Sequence, residues 1–71
     1  MRYMVVIEKG ETSCGAYVPD LPGCVAVGET EAEVKQLIQE AIELHLEDLS
    51  ESGAAIPPAL SRSDYVDVMA G

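Results

Sequence analysis

Between positions 17 and 24 the chain reads Tyr17-Val18-Pro19-Asp20-Leu21-Pro22-Gly23-Cys24, and it soon continues into Gly28-Glu29-Thr30 and a long helical pattern. Two prolines and a glycine this close together stop one strand and force a fixed turn before the next. Proline has no N–H to give a ladder, and glycine reaches backbone conformations that other residues avoid. Thr30 stands three positions before Glu33, the spacing of a capping box that starts a helix at a defined place. A rigid loop, a short strand and a capped helix in immediate succession leave little freedom in topology.

Upstream of the loop, residues 2–8 are apolar and β-branched and predict a first strand. Gly10 supplies a turn, and residues 13–18 form a weaker second strand, expected antiparallel to the first as a hairpin. Residues 24–27 predict a third short strand ended by Gly28. The helix is predicted over 31–52, with Gly53 as its left-handed stop and Pro57-Pro58 beyond. Its apolar stripe is Val34, Leu37, Ile38, Ala41, Ile42, His45 and Leu49, with Leu44 and Leu46 on the flanks. Residues 54–63 read as an extended connector, and 65–69 (Tyr65, Val66, Asp67, Val68, Met69) as a last strand with Asp64 at its start. The expected architecture is α+β in the order β-β-β-α-β, an antiparallel-rich sheet with one long helix on one face.

With 71 residues the chain is expected to be one domain over 1–71. A domain of this size buries roughly 60% of its unfolded surface, and its core alone supplies only about 3–5 kcal/mol. Association is one way to make up the difference. In the first strand Tyr3, Val5 and Ile7 point to one side, Met4 and Val6 to the other. A single helix covers only one face of a sheet, so an apolar second face implies another covering surface. A homo-oligomer, dimer or tetramer, that buries Met4 and Val6 or the last strand with Val66 and Val68 is the direct remedy.

The net charge is −9, from 13 acidic and 4 basic residues, and Arg2, Lys9, Lys35 and Arg62 are scattered. Binding a phosphate backbone needs several convergent cations, so direct nucleic-acid binding is not expected. Glu33, Gln36, Glu40, Glu43 and Glu47 form the helix face opposite the apolar stripe. Glu40, Glu43, Glu47 and Glu51 follow one another at helical spacing with no basic residue between them, at a cost of a few tenths of a kcal/mol per pair. Glu31 and Glu33 offset part of it at the positive helix N-terminus. Such a face suits a basic protein partner as well as solubility. No apolar run approaches the ~20 residues of a membrane span, and no signal peptide is evident, so a cytoplasmic location is expected.

Catalytic chemistry is hard to find. The serines lie in no nucleophile-elbow context. Cys14 and Cys24 fit no metal-site spacing, and reduced, buried thiols are the expected state. His45 sits on the apolar stripe, where a hydrogen-bonded core histidine is commoner than a catalytic one, and no cation is visible to activate Cys24. Glu8, Asp20, Glu29 and Asp67 are the acids to consider for a two-metal nuclease, but nothing in their spacing shows convergence. Gly10, Gly15, Gly23 and Gly28 make no phosphate-cradling motif. No cofactor, metal or catalytic residue is expected.

The run 17–24, then Gly28-Glu29-Thr30-Glu31-Ala32, then residues 40–47 (Glu-Ala-Ile-Glu-Leu-His-Leu-Glu) resembles the HicB antitoxin family, over most of the chain. The resemblance implies a truncated ribonuclease-H-like fold. It also implies a partner: a HicA toxin, a small basic ribonuclease with one essential histidine. An acidic surface would cover the toxin's cationic RNA groove and speed association. Asp20, Glu33, Glu40, Glu43 and Glu47 are the candidate partner-binding residues, and Pro19, Pro22 and Gly23 shape the loop. Typical family antitoxins carry a further DNA-binding domain, which is not expected within 1–71. The ribonuclease-H-like topology does not by itself imply nuclease activity. The alternative readings are an orphan oligomeric domain of this fold with another regulatory partner, and a weak metal-dependent nuclease.

Overall fold

A computed structural model describes residues 1–70. Three strands precede one helix: β1 (Val6–Lys9), β2 (Cys14–Tyr17), β3 (Val25–Gly28) and α1 (Glu31–Glu51). The sheet is antiparallel in the order β1-β2-β3. This is the expected α+β fold up to the helix, and it is compatible with the truncated ribonuclease-H-like order.

Register sorts the side chains onto two faces. Ile7, Ala16 and Ala26 lie opposite one another, as do Lys9, Cys14 and Gly28. Cys14, Ala16 and Gly28 are buried, and α1 closes this face with Val34 and Ile38. The small residues let the helix come close. A Cβ added at Gly28 would stand 3.1 Å from the Val34 backbone nitrogen, tighter than ordinary contact. The other face carries the rows Val6–Tyr17–Val25 and Glu8–Gly15–Val27. Tyr17, Val25 and Val27 are exposed there.

The helix begins and ends as its sequence dictates. Thr30 is the N-cap, and its Oγ1 accepts the Glu33 N–H at 3.1 Å. The Glu33 carboxylate reaches back to accept the Glu29 N–H at 3.3 Å, completing the capping box one residue beyond the cap itself. At the other end Ala54 N–H donates to the Leu49 carbonyl and Gly53 N–H to that of Ser50, with Gly53 at φ 76°. This is the paired bond set of a Schellman stop.

Three expectations are corrected. The first strand begins at Val6, four residues later than read, because its neighbour runs out. β2 ends at Tyr17, the residue opposite Val6, so residues 2–5 have no strand to pair with on that side. Leu37 and Leu44 are exposed on the helix flank, whereas Leu46 packs on the core. The last strand is absent: residues 65–69 pair with nothing and form no strand. An alternating apolar sequence becomes a strand only where a ladder neighbour satisfies its backbone, and this segment runs clear of both sheet edges.

Residues 62–70 form an exposed arm that makes the molecule long, 51 × 27 × 17 Å. The radius of gyration is 14.3 Å, against about 11 Å for a compact chain of this length.

Candidate functional site

The loop between β2 and β3 is two turns in succession. Leu21 N–H donates to the Val18 carbonyl at 3.0 Å, and Cys24 N–H donates to the Leu21 carbonyl at 3.1 Å. Pro19 and Pro22 each occupy the second position of their turn, and Gly23, at φ 83°, the third position of the second turn. The consequence is Leu21, driven into the core at 0% exposure. Periodicity gave no sign of it, because Leu21 belongs to no strand or helix pattern.

Asp20, between Pro19 and Leu21, faces outward and is occupied. Its Oδ2 accepts the N–H groups of Leu60 and Ser61 at 3.0 and 2.8 Å, and its Oδ1 accepts the Ser61 hydroxyl at 2.8 Å. The Ser61 backbone bond chiefly, then the Ser61 hydroxyl, hold its carboxyl below the ordinary value of 3.8. The Tyr3 hydroxyl donates to the Pro57 carbonyl. Together these contacts tie the connector to the loop and to the start of the chain. Asp20, expected among the partner-binding acids, is therefore committed within its own fold, and Glu33 is committed to the helix cap.

Glu40, Glu43 and Glu47 differ from these two: all three are exposed, Glu40 and Glu47 on the face of α1 turned away from the sheet and Glu43 between that face and the groove beside β1. Leu37 and Leu44, about two helical turns apart, line one border of that face and are also exposed. An acidic strip beside two leucines offers charge for approach and apolar area for contact, the two parts of a protein-binding surface.

A second surface lies on the other flank of the helix. α1 packs chiefly on β3 and β2 and least on β1. An open groove of about 740 Å³ remains between α1 and the segment leading into β1, with Val5, Ile7, Ile38, Ile42 and Leu46 as apolar walls. Met4 and Val6 are half-buried, whereas Val66 and Val68 stand exposed on the arm.

Among the described residues no three of His, Cys, Asp and Glu stand close enough to hold a metal ion, so Glu8, Asp20, Glu29 and Asp67 form no such group. Cys14 and Cys24 are free, buried thiols, and burial pushes the Cys24 thiol up. His45 is half-buried on the helix. No helix among the described residues is long and apolar enough to cross a membrane.

Residues 3–69 match the family described as HicB_like antitoxin of bacterial toxin-antitoxin system, and the chain belongs to that family. It is 33% identical over 67 residues to a 14.9 kDa protein of Haemophilus phage HP1, encoded in the rep-hol intergenic region. That alignment takes in 94% of this chain but only 50% of the phage protein. A UPF0150 protein of Helicobacter pylori is 52% identical over 49 residues, 69% of this chain and 68% of that one. A UPF0150 protein of Archaeoglobus fulgidus is 44% identical over 50 residues, 66% of this chain and 70% of that one. No solved structure matches the chain significantly.

Proposed function

We propose that this chain is a non-enzymatic antitoxin that binds a small basic HicA-type toxin ribonuclease and covers its RNA-binding and active site. The observation that carries the reading is the exposed acidic face of α1, with Glu40, Glu43 and Glu47 left without an internal role while Asp20 and Glu33 have one. Family membership supplies the kind of partner. The RNA-binding groove of a protein is cationic, so these glutamates would steer the encounter, and Leu37 and Leu44 would lose water in the contact. Such a pair meets where the toxin meets RNA, in the cytoplasm. The chain acts as a homo-oligomer, in which Met4, Val6, Val66 and Val68 are covered.

The test is co-expression with a small basic protein encoded beside this chain, followed by light scattering and an RNA-cleavage assay. A stoichiometric complex that halts cleavage is expected. Reversing Glu40, Glu43 and Glu47 to lysine should slow association by an order of magnitude or more and flatten its salt dependence. Lysine at Glu8 and Glu11, on the hairpin, should not. Equal effects from both sets would mean that net charge, not this face, does the binding.

A further inference from the structure

The arm and the outer edge of β1 are each left unpartnered, and we propose that they pair with each other between two copies of this chain. Residues 65–69 of one copy add as a strand to the free edge of β1 in the second and place Val66 and Val68 in the groove beside α1. The proposal concerns self-association and requires no toxin.

Four observations converge on it. β1 is an edge strand, so one side of its backbone is open for pairing. Beside that edge lies the groove, whose apolar walls α1 leaves uncovered because it packs over β2 and β3 instead. The arm has the complementary form: extended, alternating, and unused by its own copy, with Tyr65 98%, Val66 80% and Met69 100% exposed. Charge agrees as well: Arg2 and Lys35 outnumber Glu43 along the groove, and of the arm's two acids Asp64 shares the side of Val66 and Val68, whereas Asp67 falls with Tyr65 and Met69.

The arm is also delivered to the right place. The Asp20 carboxylate holds Leu60 and Ser61, and residues 61–63 line one open cavity with Arg2, Tyr3 and Met4 at the approach to β1. From there the nine residues 62–70 reach about 30 Å when extended. In an added strand successive side chains face opposite sides. With Val66 and Val68 in the groove, Tyr65 and Met69 fall on the Met4–Val6 side. Each copy both gives an arm and accepts one, so a two-fold pair satisfies both edges and closes.

Light scattering on the full chain at micromolar concentration is expected to give twice the 7.6 kDa of one copy. The double variant Val66→Asp/Val68→Asp should halve that mass and leave the helical far-ultraviolet signal unchanged, since neither side chain is packed within its own copy. In parallel, a Gln39→Cys chain mixed with a differently tagged Val66→Cys chain should form a disulfide between the two tags, in large excess over either variant alone. A single-copy mass for the parent chain overturns the proposal, whether the arm folds onto its own β1 or stays free. A pair that survives the aspartates overturns it too, and assigns association to the open face of Tyr17, Val25 and Val27. Should the aspartate variant lose its helical signal, the cross-link decides: no disulfide between tags sinks the exchange.

Discussion

The loop between β2 and β3 and the arm beyond Ser61 are built from similar apolar residues and reach opposite fates. Leu21 is wholly buried, whereas Val66 and Val68 stand in solvent. Apolar character does not separate them; local closure does. In the loop each proline sets a turn, the turns are hydrogen-bonded in sequence, and Leu21 has one place to go. The arm has no turn to send it back to the sheet, and its alternation specifies only that some strand should lie beside it. Asp20 marks the junction, since it sits in the first region and holds the root of the second.

That contrast breaks most readily at Leu21. Leu21→Ala should destabilise the chain by about 2–5 kcal/mol in denaturant unfolding, through lost burial and the cavity left behind. Val66→Ala should leave the concentration-independent part of stability within about 0.5 kcal/mol. Comparable losses at the two positions would show that the arm packs on its own copy. Gly23→Ala is next in size, at about 1–3 kcal/mol, because alanine must enter the positive-φ region that the second turn requires. An unaffected midpoint would mean that the turn is not needed to place Leu21.

The smallest effect sharpens the junction rather than breaking either side. The Asp20 carboxyl is held below its ordinary value, so the folded state favours the carboxylate more than the unfolded state does. Its contribution is therefore complete above the unfolded value of about 3.9 and lost as pH falls through the lower folded value. Amide exchange at Leu60 and Ser61 should stay protected at neutral pH and open in acid while the helix amides remain protected. Asp20→Asn should open the same two amides at neutral pH. Protection that survives both would assign the arm's root to the Tyr3–Pro57 contact alone.

Much of the fold was legible because it is local. The hairpin, the short third strand, the Thr30 cap and the Gly53 stop are each written within a few residues, and spacing along the chain reports them. The acidic strip at Glu40, Glu43 and Glu47 was legible for the same reason, since a helix turns a linear interval into a face. The commitment of Asp20 was not, because its partners lie 40 and 41 positions away. The groove was hidden as well: it exists because α1 packs chiefly on β3 and β2 and leaves β1 largely uncovered.

The chain's own letters thus determined the elements, their order up to the helix and the family. The tertiary structure decided which acids are free, where Leu21 goes and that residues 65–69 stay unpaired. A spacing rule acts through neighbouring backbone, whereas a long-range hydrogen bond or a sheet edge depends on where distant segments come to rest.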